Sequence, residues 1–296
     1  MAGLVLVVLV AVQAASSWQL YDAIDRWGAP GGFGIPLASW QRVAEQARQE
    51  ARSAGVSEVF GLTEGHQPRY DEKPAILDYL LRPELSPRWL PLRPSYFLIL
   101  PVGRPSLYLA TLDDSWLHQG LSRLGNLKAD IRMADGRQRA RLYAIPTYSP
   151  AQVIGLPPIQ ADVSFSTGLR LVGYAAPQTV RAGATLSITT YWLIENVQDA
   201  DRGRDYSVTY RLLGPDGRQW GQEDGLGWPR SAWLNGEMLI HWYGIPISAT
   251  TSPGEYALYS EIYSLDDGAR VPILDSGGQP VGESHRMFTI GVTSGN

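Results

Sequence analysis

The hydrophobic pattern of this chain changes period once, at Pro146, and that change limits what each half can fold into. Before it, apolar residues recur at spacings of three and four between short apolar runs; after it, they alternate with polar ones. The first spacing belongs to helices and the second to strands, so one half builds helices with strands and the other strands alone. In the first half, Trp40, Val43, Ala44, Ala47 and Ala51 predict an amphipathic helix with Ser39 as N-cap and Gly55 as C-cap. Residues 56–62 predict a strand and 74–81 a short helix with Pro74 in its first turn. Residues 96–100 and 106–111 predict two apolar strands, followed by a helix that Asp113 or Asp114 caps and Gly125 ends. Asp135-Gly136, between runs at 128–134 and 138–145, is a hairpin signal. Residues 38–146 therefore predict a small α/β layer domain.

Residues 147–160 carry three prolines and no charge, as a linker would. Beyond them, strands are predicted over 169–174, 186–194, 206–213, 238–247, 256–264 and 287–292. Leu186, Ile188, Thr190 and Trp192 form one face against Ser187, Thr189 and Tyr191. Pro215-Asp216-Gly217 and Asp266-Asp267-Gly268 mark tight turns. So many short strands without cysteine predict an immunoglobulin-like β-sandwich over residues 161–296, in which Tyr256, after Ser252-Pro253-Gly254-Glu255, takes a tyrosine-corner position.

The start of the chain predicts a further element. No charge occurs between Met1 and Tyr21, and residues 2–15 are apolar except for Gln13. A bilayer-spanning helix needs about 20 such residues, with aromatic side chains at the interface, where Trp18 and Tyr21 fall. Residues 1–27 are thus expected to be a transmembrane or anchor helix that holds the chain at the cell membrane in a single pass, its soluble domains extracytoplasmic. A cleaved signal peptide and a buried helix are the alternatives, although the basic residue expected ahead of a signal core is missing. Gly31, Gly32 and Gly34 follow no predicted strand and are expected to be linker rather than a phosphate cradle. The 25 basic and 29 acidic residues give a net charge of -4, without the positive field that a nucleic acid requires. With Cys 0 there is no disulfide, thiolate nucleophile or cysteine metal site.

Two segments carry a resemblance. LRLVGYAAP, AGATLSITTYWLI, DYSVTYRLLGPDGRQWGQEDG and SPGEYALYSEIYSLDDGARVP follow one another over residues 169–272. They resemble the extracytoplasmic β-sandwich at the carboxyl end of bacterial membrane glycosyltransferases of family 39, the dolichyl-phosphate-mannose-protein mannosyltransferase type. VFGLTEGHQPRYDEKPAILDYLL, residues 59–81, followed by YFLILP, is similar to the α/β region that joins the last membrane helix of such proteins to the sandwich. The resemblance implies a non-catalytic extracytoplasmic accessory region of an enzyme that uses lipid-linked sugar. Its role would be to position acceptor or to pack over a polytopic glycosyltransferase core. The family's catalytic acidic residue lies between early membrane helices, so no residue here inherits it, and a carboxyl-terminal fragment or split partner is implied. No cofactor is implied. The alternative is a stand-alone anchored or secreted glycan-binding sandwich protein; a soluble α/β hydrolase is a third and weaker option.

The candidate glycan surface comprises Trp220, Glu223, Asp224, Trp228, Arg230 and Trp233, in a stretch that also holds His241 and Trp242. Flat aromatic rings cover the apolar face of a pyranose while carboxylates and guanidinia bond its hydroxyls, although the same residues also fill sandwich cores. Glu223 and Asp224 are adjacent and so point to opposite faces of a strand, which excludes a facing hydrolytic pair. Asp199, Asp201, Gly203 and Asp205 resemble a calcium loop but lack its distal glutamate, and His66, His118, His241 and His285 show no paired spacing, so no metal site is expected. Neither a Gly-x-Ser-x-Gly elbow nor a Walker loop is present.

Overall fold

The computed structural model describes residues 2–27, 35–82, 84–92, 96–197, 203–225 and 229–295, with backbone alone at 2–8, 21, 23–27 and 96. Gly31, Gly32, Gly34, Asp199, Asp201 and Trp228 lie outside the described residues. The chain forms two units, one of residues 1–90 and 105–146 and the other of residues 91–104 and 147–296.

The uncharged start is helical, α1 (Ala2–Trp27). The spanning helix expected there is not met: among the described residues, no helix is long and apolar enough to cross a membrane. From Leu9 onward α1 carries Gln13, Ser16, Ser17, Gln19 and Asp22, which break the apolar run, and the side chains of its most apolar stretch, residues 2–8, lie outside the described set. Leu9, Val10, Val12, Trp18 and Leu20 are exposed.

The rest of the first unit follows the helical period. Helix α2 (Leu37–Ala54) begins ahead of the expected cap, with Pro36 at the N-cap position, and Ser39 lies inside it, where its hydroxyl accepts from the Ala134 amide at 3.3 Å. Gly55 ends it with φ +66°, a left-handed conformation that glycine adopts without penalty. Next in the chain come β1 (Glu58–Leu62), α3 (Glu72–Leu81), β2 (Ser86–Trp89), β3 (Tyr96–Pro101), β4 (Ser106–Ala110), α4 (Ser115–Leu124), β5 (Asn126–Arg132) and β6 (Arg139–Ile145), of which β3 belongs to the second unit. The sheet order is β2-β1-β4-β6-β5, parallel across the first three strands and antiparallel thereafter. Trp40, Val43, Ala47 and Ala51 of α2 and Leu77 and Leu81 of α3 pack on Val59, Leu107, Leu109 and Leu142 on one sheet face. On α4, Asp114 accepts from the amides of Trp116 and Leu117, as a capping aspartate should. His118 Nε2 is 2.9 Å from the Leu112 carbonyl, which can only accept, so Nε2 carries the proton and Nδ1 accepts from the Tyr143 hydroxyl at 3.0 Å. Burial first, then the Arg141 charge, lower the pKa of this histidine.

After Pro146 the second unit resumes with a short helix inside the expected linker, α5 (Pro150–Ile154), held by a reciprocal capping box between Ser149 and Gln152. Among the described residues the strands that follow are β7 (Ile159–Phe165), β8 (Leu169–Ala175), β9 (Thr179–Arg181), β10 (Thr185–Ile194), β11 (Tyr206–Leu213), β12 (Gln219–Asp224), β13 (Glu237–Pro246), β14 (Gly254–Ser264), β15 (Ile273–Leu274), β16 (Pro280–Gly282) and β17 (Ser284–Thr293). With β3 they form two sheets, β16-β15-β7-β8-β10-β13-β3 and β12-β11-β14-β17-β9, which make a β-sandwich. Leu186, Ile188, Thr190 and Trp192 turn inward from β10, and Val208, Tyr210 and Leu212 from β11, as period two requires. Thr190 Oγ1 lies 3.0 Å from the Tyr210 hydroxyl and accepts from Trp192 Nε1 at 3.0 Å, joining the sheets. Tyr256 donates to the Ser252 carbonyl at 2.8 Å, the bond of a tyrosine corner.

One strand is in a different sheet from the one expected. The hydrophobic pattern predicts residues 96–100 within the α/β domain at 38–146, but β3 pairs antiparallel with β13, Phe97 opposite His241 and Ile99 opposite Leu239. Phe97, Leu98, Ile99 and Leu100 are at most 1% exposed, and a strand apolar on both faces fits any sheet edge that needs covering on both sides.

His241 is sealed in the sandwich interior beside this strand. The Tyr243 hydroxyl donates to the Gly225 carbonyl at 2.6 Å and therefore accepts from His241 Nδ1 at 2.5 Å. Burial pushes the His241 pKa down to about 3. An unfolded histidine titrates near ~6.5, so this contribution to stability is fully present above about pH 6.5 and is lost as pH falls towards 3, at about 1.4 kcal/mol per pH unit. The urea midpoint is expected to fall between pH 7 and pH 5, with a shallower fall in His241→Phe; an identical fall in both proteins would remove His241 as the cause.

Candidate functional site

The residues expected to form a glycan surface are dispersed by the fold. Trp233 is 0% exposed and Arg230 only 1%. The short 3₁₀ turn Arg230–Ala232 directs both side chains inward, where the Arg230 guanidinium lies 5.2 Å from the Tyr206 ring and 5.4 Å from that of Trp233 and donates to the Thr167 carbonyl. This is a buried cation held by aromatic faces, a packing role for two residues expected on the surface. Asp205, from the calcium-like stretch, accepts from the Arg230 amide at 3.0 Å. Among the described residues, no group of acidic and histidine side chains is placed to hold a metal ion. Trp220 is half-buried, edge-on to Tyr256 and beneath the Arg218 guanidinium at 4.8 Å. Glu223 lies opposite Tyr210 and Asp224 opposite Thr209, so the two carboxylates leave opposite faces of β12. Burial, and then the Asp224 charge, raise the Glu223 pKa.

Of the described residues of the expected set, only Asp224 lines the polar groove that the structure reveals, a cleft of about 330 Å³ on the outer face of the β12-β11-β14-β17-β9 sheet. Thr209 and Arg211 of β11 alternate with the inward Val208, Tyr210 and Leu212 and form its floor. Gln219, Gln222 and Asp224 of β12 form one wall. Tyr263, Gly268 and Arg270 form the other, because the Asp266-Asp267-Gly268 turn, with Gly268 at φ +71°, folds residues 265–271 back so that Tyr263 and Arg270 bridge. Cross-strand from Thr209 is Glu261, 1% exposed, which accepts from the Arg211 guanidinium and is ion-paired with that of Arg270. A buried carboxylate between two arginines is balanced by charge-assisted bonds and fixes both guanidinia.

The groove wall is ordered from within. Gln219 Nε2 donates to Gln222 Oε1 at 2.8 Å, and Gln222 Nε2 donates to Asp224 Oδ2 at 2.6 Å. Three atoms at the base have no partner among the described residues: Thr209 Oγ1, Arg211 Nε and Asp224 Oδ1. An unsatisfied buried polar group costs about 1–3 kcal/mol, so three in one cleft make a place where incoming hydroxyls are stabilised. A second, smaller cleft of about 140 Å³ beside Ser164 and Asn196 has its arginine, Arg170, paired with Asp162 and Glu195.

The sequence carries a signal of this polar face, though not of the groove itself. Arg211 interrupts the apolar run of residues 206–213 and Glu261 that of 256–264, and opposite charges in the middle of two strands signal a polar face.

No family model matches the chain, and no curated protein matches it. Among solved structures it is similar to the C-terminal domain of wzt, at 11% identity over 48% of this chain and 84% of that one, with a TM-score of 0.34. It is also similar to the CARDB domain of a Pyrococcus furiosus protein in complex with di-metal ions, at 8% identity over 46% and 92% with a TM-score of 0.23. Bacteroides uniformis beta-glucuronidase is similar at 11% identity over 51% and 19%, with a TM-score of 0.25.

Proposed function

We propose that this chain is a non-catalytic carbohydrate-binding protein whose immunoglobulin-like sandwich holds glycan in the groove formed by β11, β12 and β14. The observation that carries the reading is the content of the groove: an unpartnered acceptor at Asp224 Oδ1, an unpartnered donor at Arg211 Nε, the Thr209 hydroxyl, and the Tyr263 ring on the opposite wall. Sugar hydroxyls both donate and accept, and the C–H face of a pyranose needs an aromatic surface, so this mixture suits a saccharide. The volume lies at the small end of the ~300–1,000 Å³ typical of small-molecule sites.

The setting implied by the sequence resemblance belongs to the same proposal. In it, residues 2–21 attach the chain to a membrane, and the groove positions acceptor for a polytopic glycosyltransferase that uses lipid-linked sugar. The exposed apolar side chains of α1 support the attachment.

One experiment addresses both parts. The full chain, extracted from membranes in mild detergent, is screened on a glycan array and titrated with any glycan it binds. Asp224→Ala and Gln222→Ala are expected to weaken binding by about tenfold or more, since a hydrogen bond to a charged group contributes about 1.5–3 kcal/mol. Absence of binding by the unmutated chain overturns the carbohydrate reading. Co-extraction of a polytopic transferase supports the setting, and extraction of the chain alone removes it.

A further inference from the structure

We infer that the ligand of this groove is an uncharged saccharide presenting two neighbouring hydroxyls, and not an acidic or phosphorylated sugar. The inference rests on the carbohydrate reading above and deepens it.

Charge carries the first part of the argument. The groove has two guanidinia, which would ordinarily mark a site for carboxylate or phosphate. Here both are engaged by Glu261, which is 1% exposed and cannot turn to solvent. An anionic ligand that drew Arg211 or Arg270 away would leave a buried carboxylate short of its partners, an unfavourable exchange. The remaining charge on the wall is Asp224, whose Oδ2 is held by Gln222 and whose Oδ1 is buried at the base without a hydrogen-bond partner. That carboxylate repels an anion and accepts from a hydroxyl.

Geometry carries the second part. Asp224 and Thr209 are cross-strand partners on one sheet face, and Gln222 and Arg211 are the next pair along that face. Cross-strand Cβ atoms lie about 4.5–5.5 Å apart, so the acceptor Asp224 Oδ1 and the donors Thr209 Oγ1 and Arg211 Nε converge on adjacent positions of one small ligand. A vicinal pair satisfies them in one orientation: one hydroxyl donates to Asp224 while its neighbour accepts from Arg211 or Thr209. Gln222 is exposed, and its rotation opens the base of the cleft to the ligand without disturbing the Glu261 pairs.

The test is a calorimetric titration of the full chain with four probes: a mannose oligomer, a glucose oligomer, a galacturonate oligomer and mannose 6-phosphate, each at low and at high salt. At least one neutral oligomer is expected to bind about tenfold or more tighter than both anionic probes, with an affinity that salt leaves unchanged. Asp224→Asn is expected to narrow the gap between neutral and anionic probes. Equal or tighter binding of an anionic probe, or an affinity that falls steeply with salt, overturns this inference and leaves the carbohydrate reading intact. Failure of the glycan array and of all four probes overturns both.

Discussion

Residues 147–296 expressed without residues 91–104 are expected to be insoluble or unfolded, although the hydrophobic period places the whole sandwich after Pro146. Strand β13 pairs with β10 on one side and with β3 on the other, through six matched residues from Glu237 opposite Pro101 to Trp242 opposite Tyr96. Removal of β3 leaves the β13 ladder open beside Met238, Leu239 and Ile240, which are at most 2% exposed in the native unit. An open apolar edge is a template for association with other chains. Phe97 and Ile99 also leave the interior; at about 1.5–3 kcal/mol each, their loss is about 3–6 kcal/mol, against a total stability of about 5–15 kcal/mol for a domain. The expected result is recovery in inclusion bodies, with soluble protein restored when a peptide of residues 91–104 is present during refolding. A soluble 147–296 fragment that unfolds cooperatively at the same urea midpoint as the intact chain would refute the role assigned to β3.

Trp233→Ala is expected to lower stability by about 3–5 kcal/mol, the range for deleting a fully buried large aromatic side chain. Trp233 is 0% exposed, packs on Tyr206 with ring centroids 6.4 Å apart and covers the Arg230 guanidinium at 5.4 Å. Its removal leaves a cavity and uncovers one side of a buried cation, so the cost combines lost packing with a charge that has lost part of its environment. Asp224→Ala, on the half-buried wall of the groove, is expected to leave the unfolding midpoint close to that of the unmutated chain while weakening glycan. The two variants therefore separate core from site. Chemical denaturation is the measurement, and a Trp233→Ala protein as stable as the original but deficient in glycan binding would return Trp233 to the surface role that composition alone suggested.

The contrast between these two residues shows what local pattern can and cannot convey. The alternation of Glu223 and Asp224 was legible because adjacent residues on a strand face opposite ways whatever surrounds them, and β12 places them so. The direction of Trp233 and Arg230 was not, because they lie in a 3₁₀ turn between strands, where no period dictates a facing. The Ser149–Gln152 capping box was legible in principle, but residues 147–160, with three prolines and no charge, read as linker. The short strands β9, β15 and β16 are too brief for a period to register; β9 and β15 form on the edges of the longer β17 and β7, and β16 adds to β15. The groove required Thr209, Arg211, Asp224, Glu261 and Arg270 together, residues brought from three strands and a turn.

The sequence by itself determined the kinds of elements, their order and the inward faces of the long strands, because side-chain periodicity, caps and turns act over a few residues. Only the tertiary structure decided that β3 completes the sandwich, that Trp233 and Arg230 are core, and that a buried Glu261 holds two arginines of a groove, one on its floor and one on its wall. Those outcomes depend on which sheet edge lies open and on which charges meet across strands distant in sequence, and no local pattern records either.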